Sequence, residues 1–328
     1  MMLLSLLAFI VTFTGTWLWI RFAGQKILQD IPGPRSSHSR PTVRGGGVVF
    51  VSVFLLFTYL ASEVQLIPAL HHWSLVAVGA MMLVGMLDDL YGLPVLSRLI
   101  AQISVAFVLS YPVVADSAES IWLLLPLVFA VVWFINLYNF MDGIDGIATL
   151  QAISVAIVMA GLCYWQGLEG PALVFGLLVA VMLGFLFWNF PTSSVFMGDA
   201  GSGALGTVFV LLMVFVTSHS VPLLWACLLM MSVFILDASW TLLVRLFSGQ
   251  KIWTAHKLHA YQILSRRWHS HSKVSLLVSG YNLGWLAPVS GLYVAGLLHL
   301  VVAIFLTSAP VLAVCYWLKA GQELPEQS

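Results

Sequence analysis

Four stretches of this chain gather acids, amides and glycines in patterns suited to holding a divalent cation and phosphates. Asp88 and Asp89 stand side by side after Gly85. Neighbouring side chains on a helix point about 100° apart, so the two carboxylates serve different partners, one a metal and the other a proton or a nearby cation. Asn136, Asn139, Asp142 and Asp145 recur at every third position. Gly143 and Gly146 predict that a helix ends there and that the backbone wraps around a ligand. Asn189 precedes the run Phe196-Met197-Gly198-Asp199-Ala200-Gly201-Ser202-Gly203. Its glycines let backbone amides approach a phosphate, Ser202 and the start of a helix favour an anion, and Asp199 is a candidate metal ligand.

Asp237 and Arg245 come before a basic loop with Lys251, His256, Lys257, His259, Tyr261 and Gln262. These residue types suit contacts with diphosphate, uracil or sugar. Near the start, Arg35, His38, Arg40 and Arg44 precede the triplet Gly45-Gly46-Gly47. They read either as phosphate ligands or as the basic collar of a loop on the inner side of a membrane. His269 and His271 read as solvated loop residues, and His71, His72, His219 and His299 receive no role.

The elements that must position these groups lie in lipid. Of 328 residues, 61% are hydrophobic and only 8% charged, and the mean hydropathy is +1.01. A soluble domain has about 45–50% apolar and about 25% charged residues. A soluble enzyme, a disordered chain and a nucleic-acid binder are thereby excluded. Cys163, Cys227 and Cys315 lie in apolar runs without metal or disulfide spacing and read as small hydrophobes.

Hydropathy predicts an all-α polytopic protein with about eleven spans, near 2–20, 46–62, 73–88, 98–114, 121–138, 148–166, 171–189, 202–218, 222–244, 274–291 and 297–318. With the N-terminus outside, all 13 Lys and Arg residues fall on the cytoplasmic side. The C-terminus is then cytoplasmic, and the chain forms one catalytic domain with inner loops near 21–45, 88–97, 139–147, 190–201 and 245–273. Six aspartates (88, 89, 142, 145, 199 and 237) share the inner membrane depth. Each one could simply cap a helix, but six like charges at one level call for a cation, most simply Mg2+.

Together these residues resemble the polyprenyl-phosphate N-acetylhexosamine-1-phosphate transferase superfamily of bacterial inner membranes (glycosyltransferase family 4). The likeness runs from the RxxHxxPTxRGGG loop at 35–47, through NxxNxxDGxDG and FMGDxGS, to the histidine loop at 256–262. It implies an Mg2+-dependent enzyme, with Mn2+ as a substitute, that moves a sugar 1-phosphate from a UDP-N-acetylhexosamine to undecaprenyl phosphate and releases UMP. Its active site would face the cytoplasm, and dimerisation is left open.

By this resemblance Asp199 matches the metal position and Asp88 and Asp89 the acidic pair, with Asp89 a second metal candidate. Asn139, Asp142 and Asp145 match the nucleotide and diphosphate cluster, and Asp237 and Arg245 the pair before the last large loop. The GlcNAc branch carries DxxHxHH, whereas this chain has His256, Lys257, His259, Tyr261 and Gln262 there. That loop looks like the branch that starts O-antigen (lipopolysaccharide) synthesis with UDP-FucNAc or UDP-QuiNAc. A GlcNAc enzyme of the same family is the alternative. A proton-coupled transporter predicts acids at mid-membrane rather than at one face. A CDP-alcohol phosphotransferase would need an arginine shortly after Gly146, where Ile147-Ala148-Thr149-Leu150 follow.

Overall fold

The protein is a bundle of apolar helices, seen in a computed structural model that describes residues 2–24, 28–31, 41–67, 72–115, 118–251, 254 and 256–322. Arg35, His38 and Arg40 of the first loop, with Lys26, His71 and Asp116, lie outside the described residues. The helices are α1 (Met2–Leu18), α2 (Gly47–Glu63), α3 (His72–Tyr91), α4 (Val95–Val114), α5 (Leu124–Phe140), α6 (Ile147–Trp165) and α7 (Glu169–Asn189). There follow α8 (Gly198–Thr217), α9 (Val221–Met230), α10 (Ser232–Phe247), α11 (Ala260–Trp268), α12 (His271–Tyr281), α13 (Ala287–Val294) and α14 (Leu300–Trp317).

Every run expected to span is helical. Eight of the helices are long and apolar enough to cross a membrane. The expected span near 222–244 is instead two helices, α9 and α10, bent by 61°. At the break the amide of Gln151 donates to the Met230 carbonyl (3.2 Å), satisfying a group that the bend releases from the ladder. The expected span near 274–291 is α12 and α13 joined by a π-turn over 282–286. There the Asn282 amide donates to Gln151 at 2.6 Å. The 17-residue α2 is apolar but short of a full span.

Nearly all of α8 is buried, and it forms the axis of the bundle. Its first turn is small, and α3 packs so closely there that a Cβ on Gly85 would collide with the backbone of Asp199 and Ala200. One feature lies outside the all-α expectation. Strands β1 (Gln29–Asp30) and β2 (Thr42–Val43) pair antiparallel, and Val43 bridges to Val195. Backbone bonds from Phe196 to the Val43 carbonyl (2.8 Å) and from Gly46 to the Phe196 carbonyl (3.0 Å) continue the join. This small β unit fixes Arg44 beside the start of α8.

Candidate active site

The C-terminal ends of α3, α5 and α7 and the N-terminal ends of α4, α6 and α8 meet at one end of the bundle. Two cavities open there. The first, of about 280 Å3, is polar and is lined by Arg44, Asp142, Asp145, Asp199, Lys257 and His271, among others. The second, of about 480 Å3, is more apolar and lies between α3, α4 and α5. Asp88 and Arg98 line it beside Met81, Leu99, Ile135 and Phe140. The cavities share Asn139, Asp142, Gly143, Asp199, His256 and Gln262. Asp142 and Asp199 therefore stand where a polar chamber meets an apolar one.

Asp199 is fixed from both sides. Asn139 donates to one of its oxygens (2.7 Å) and Arg44 to the other (3.1 Å), and its side chain stays 26% exposed. The Asn139 amide also reaches the Ser202 hydroxyl at 2.7 Å. Among the described residues no hydrogen bond reaches the Asp142 carboxylate. Burial, and then the Asp199 charge, push Asp142 well above the usual carboxylate range. Asp88 accepts from Arg98 (2.9 Å) and from the Leu93 amide (2.6 Å), and it comes within hydrogen-bonding reach of Asp199.

Asp145 accepts from His271 at 3.0 Å, and Ser275 bonds its backbone carbonyl at 2.8 Å. Burial opposes ionisation of Asp145, but the hydrogen bonds from His271 and Ser193 outweigh it and hold the carboxyl below its usual value. His271 is thus a wall of the first cavity rather than a solvated loop residue. Its place at the start of α12, far along the chain from Asp145, gave no local signal. Arg98 was likewise legible only as one basic residue among several. On His256, burial and then the His259 and Arg245 charges outweigh the pull of Asp237 and lower the imidazole to about 4, leaving it neutral.

Several expected ligands are placed as supports instead. Asp89 was expected to share the metal. Its side chain has no exposed surface, and its oxygens accept from the backbone amides of Asp199 (3.0 Å) and Ala200 (3.1 Å) and from Arg44 (2.8 Å). Asp89 thus caps α8 from behind the cavities. Gly198, at φ +70°, permits this approach, because a Cβ there would strike the Asp89 carboxylate. Asp237 does the same for α11, accepting from the amides of Ala260 (2.8 Å) and Tyr261 (3.0 Å).

Arg245 is buried and ties the next loop through the Lys251 carbonyl (3.0 Å) and Thr254 (3.2 Å). Asn189 reaches the first cavity, but its amide is spent on Thr149, Ser193 and the Val195 carbonyl. Asn136 pairs amide-to-amide with Gln102 along the second cavity. Tyr261 turns its hydroxyl onto the Phe140 carbonyl at 2.9 Å, and Gln262 accepts from the His259 amide at 3.3 Å. His259 is buried and stacks between Phe140 and Tyr261.

Among the described residues no three acid, His or Cys side chains form a closed metal cage. Mg2+ does not need one, since it usually takes one or two carboxylates, waters and substrate phosphates. An unpartnered carboxylate at Asp142, next to a part-exposed one at Asp199, fits that demand. The family model described as "Glycosyl transferase family 4" matches residues 72–217, which hold Asp88, the Asn136–Gly146 cluster and Asp199. Over that segment the chain is similar to glycosyl transferase family 4. The chain is 29% identical to a decaprenyl-phosphate N-acetylglucosaminephosphotransferase of Mycolicibacterium smegmatis, over 84% of the chain and 78% of that relative. It is 29% identical to a probable undecaprenyl-phosphate N-acetylglucosaminyl 1-phosphate transferase of Bacillus subtilis, covering 80% and 76%. A phospho-N-acetylmuramoyl-pentapeptide-transferase of Streptococcus pyogenes is 26% identical, covering 67% and 70%.

Proposed function

We propose that the protein transfers an N-acetylhexosamine 1-phosphate from a UDP-sugar to undecaprenyl phosphate and releases UMP, starting a lipid-linked polysaccharide. The observation that carries this reading is the meeting of a polar and an apolar cavity at Asp142 and Asp199. A nucleotide sugar suits the first chamber, where Arg44, Lys257 and His271 face its diphosphate and nucleoside. A lipid phosphate suits the second, with Arg98 at its head and apolar walls along its chain.

An oxygen of the lipid phosphate attacks the sugar-linked phosphorus. The new P–O bond forms as the bond to the bridging oxygen breaks, and that oxygen leaves with UMP. Bound Mg2+, held by Asp199 and Asp142, would offset the charge of the two phosphates brought together. Arg44 fixes Asp199 and adds positive charge beside the diphosphate. Asn139 orients Asp199, and Arg98 orients the lipid phosphate while neutralising Asp88. Neutral His256 donates or accepts a hydrogen bond without adding charge. The lipid phosphate is already an anion near neutral pH, so Asp88 acts by placing Arg98 rather than as an obligatory base.

We assign the donor as a deoxy amino sugar, UDP-FucNAc or UDP-QuiNAc, in the O-antigen branch of inner-membrane enzymes. Gln262 faces both cavities and supports this reading, whereas Tyr261 lines the second cavity and not the first. A GlcNAc donor is the second reading, favoured by the names of the two relatives at 29% identity. The test is UMP release from purified protein with undecaprenyl phosphate, Mg2+ and UDP-GlcNAc, UDP-FucNAc or UDP-QuiNAc. Release with a deoxy sugar alone supports the assignment, release with GlcNAc replaces it, and no release with any donor removes the reaction.

A further inference from the structure

Behind the active site lies a third cavity that the reaction does not use. It measures about 200 Å3 and sits between α10, α11, α12 and α14, lined by Val233, Leu264, Val274, Leu277, Val311 and Val314, among others. Its lining is almost wholly apolar. The Asp237 carboxylate at its edge is committed to the amides of α11. Leu277 and Val314 are 49% and 42% exposed, so the cavity opens sideways onto the surface that faces lipid.

The mouth is basic and aromatic. On α11, Arg267 lies one turn beyond Leu264, and on α14, Trp317 lies one turn beyond Val314. The Arg267 guanidinium stands 5.3 Å over the Trp317 ring. Arg266 is its neighbour, and Lys319 follows Trp317. Among the described residues neither arginine is in an ion pair. Tyr316, Trp317 and Trp268 are exposed beside them, as side chains at a membrane–water boundary are.

An apolar slot open to lipid, under unpaired arginines at the boundary, matches one ligand chemistry. We infer that this cavity binds an anionic phospholipid, with one acyl chain in the slot between α12 and α14 and its phosphate on Arg266 and Arg267. The bound lipid braces α11, whose first turn carries Tyr261 and Gln262 to the active site.

The test is native mass spectrometry of the full chain taken from nanodiscs of phosphatidylglycerol mixed with phosphatidylcholine. The wild type should retain one phosphatidylglycerol in preference to phosphatidylcholine. Arg267→Gln should lower that retention about fivefold, the effect of one basic residue near an anionic surface. Val314→Trp, which fills the slot, should lower it similarly. Arg267→Gln alone decides the matter if the tryptophan variant does not fold. The full-length double variant Glu323→Gln/Glu326→Gln should leave retention unchanged. Equal retention of the two lipids, or no effect of Arg267→Gln, would overturn the inference.

Discussion

Asp89 holds the helix that begins at Asp199. Its carboxylate accepts the first amides of α8 and pairs with Arg44, which in turn reaches Asp199. The two acids therefore have separable failures. Asp89→Ala removes a cap and one side of a buried pair, at about 2 kcal/mol or more. It should lower the thermal midpoint and the activity together. Asp199→Asn should keep the midpoint and lose turnover. A thermally normal Asp89→Ala protein would contradict the capping role.

Arg98 and Lys257 should separate the two substrates. Losing a charge-assisted hydrogen bond costs about 1.5–3 kcal/mol, or roughly tenfold to a hundredfold in affinity. Arg98→Ala should raise the KM for undecaprenyl phosphate and leave that for the UDP-sugar nearly unchanged. Lys257→Ala should do the reverse. Equal effects on both substrates would argue against divided cavities.

Asp145 links stability to pH. Its folded pKa lies below the unfolded value near 3.8. The resulting stabilisation is fully present above the unfolded value and disappears as pH falls through the lower folded one. Thermal midpoints measured from about pH 5 down to about pH 3 should fall less steeply in Asp145→Asn or His271→Gln than in the wild type. Parallel profiles would rule out the pairing as a source of stability.

Tyr261 and Gln262 should differ in their effect on donor choice. Tyr261→Phe loses the hydroxyl that bonds the Phe140 carbonyl, about 1 kcal/mol, and should keep the order of preference among UDP-sugars. Gln262→His should change that order. The check is kcat/KM for each donor, and an altered order in Tyr261→Phe would place its hydroxyl on the sugar.

The spans and the polar clusters were legible in the sequence because lipid demands long apolar runs and penalises each carboxylate placed at their ends. What stayed hidden was which way each carboxylate faces. Asp88 and Asp89 are neighbours in sequence, yet one lines a cavity and the other caps a helix more than a hundred residues away. Asp237 looked like a ligand because it precedes a basic loop, but its partners are amides of α11. His271 looked solvated because its partner Asp145 is distant in sequence. The break at Met231 was hidden in an unbroken apolar run, since the group that relieves it, Gln151, is on another helix.

The most direct test follows the phosphorus. Purified protein would be given undecaprenyl phosphate, Mg2+ and the accepted UDP-sugar labelled in the sugar-linked phosphate. The label should move into the lipid product as UMP appears, and both should stop in Asp199→Asn or when Mg2+ is chelated. Label left in released UDP, with only the sugar on the lipid, would contradict phosphosugar transfer. Full transfer in Asp199→Asn would contradict the site.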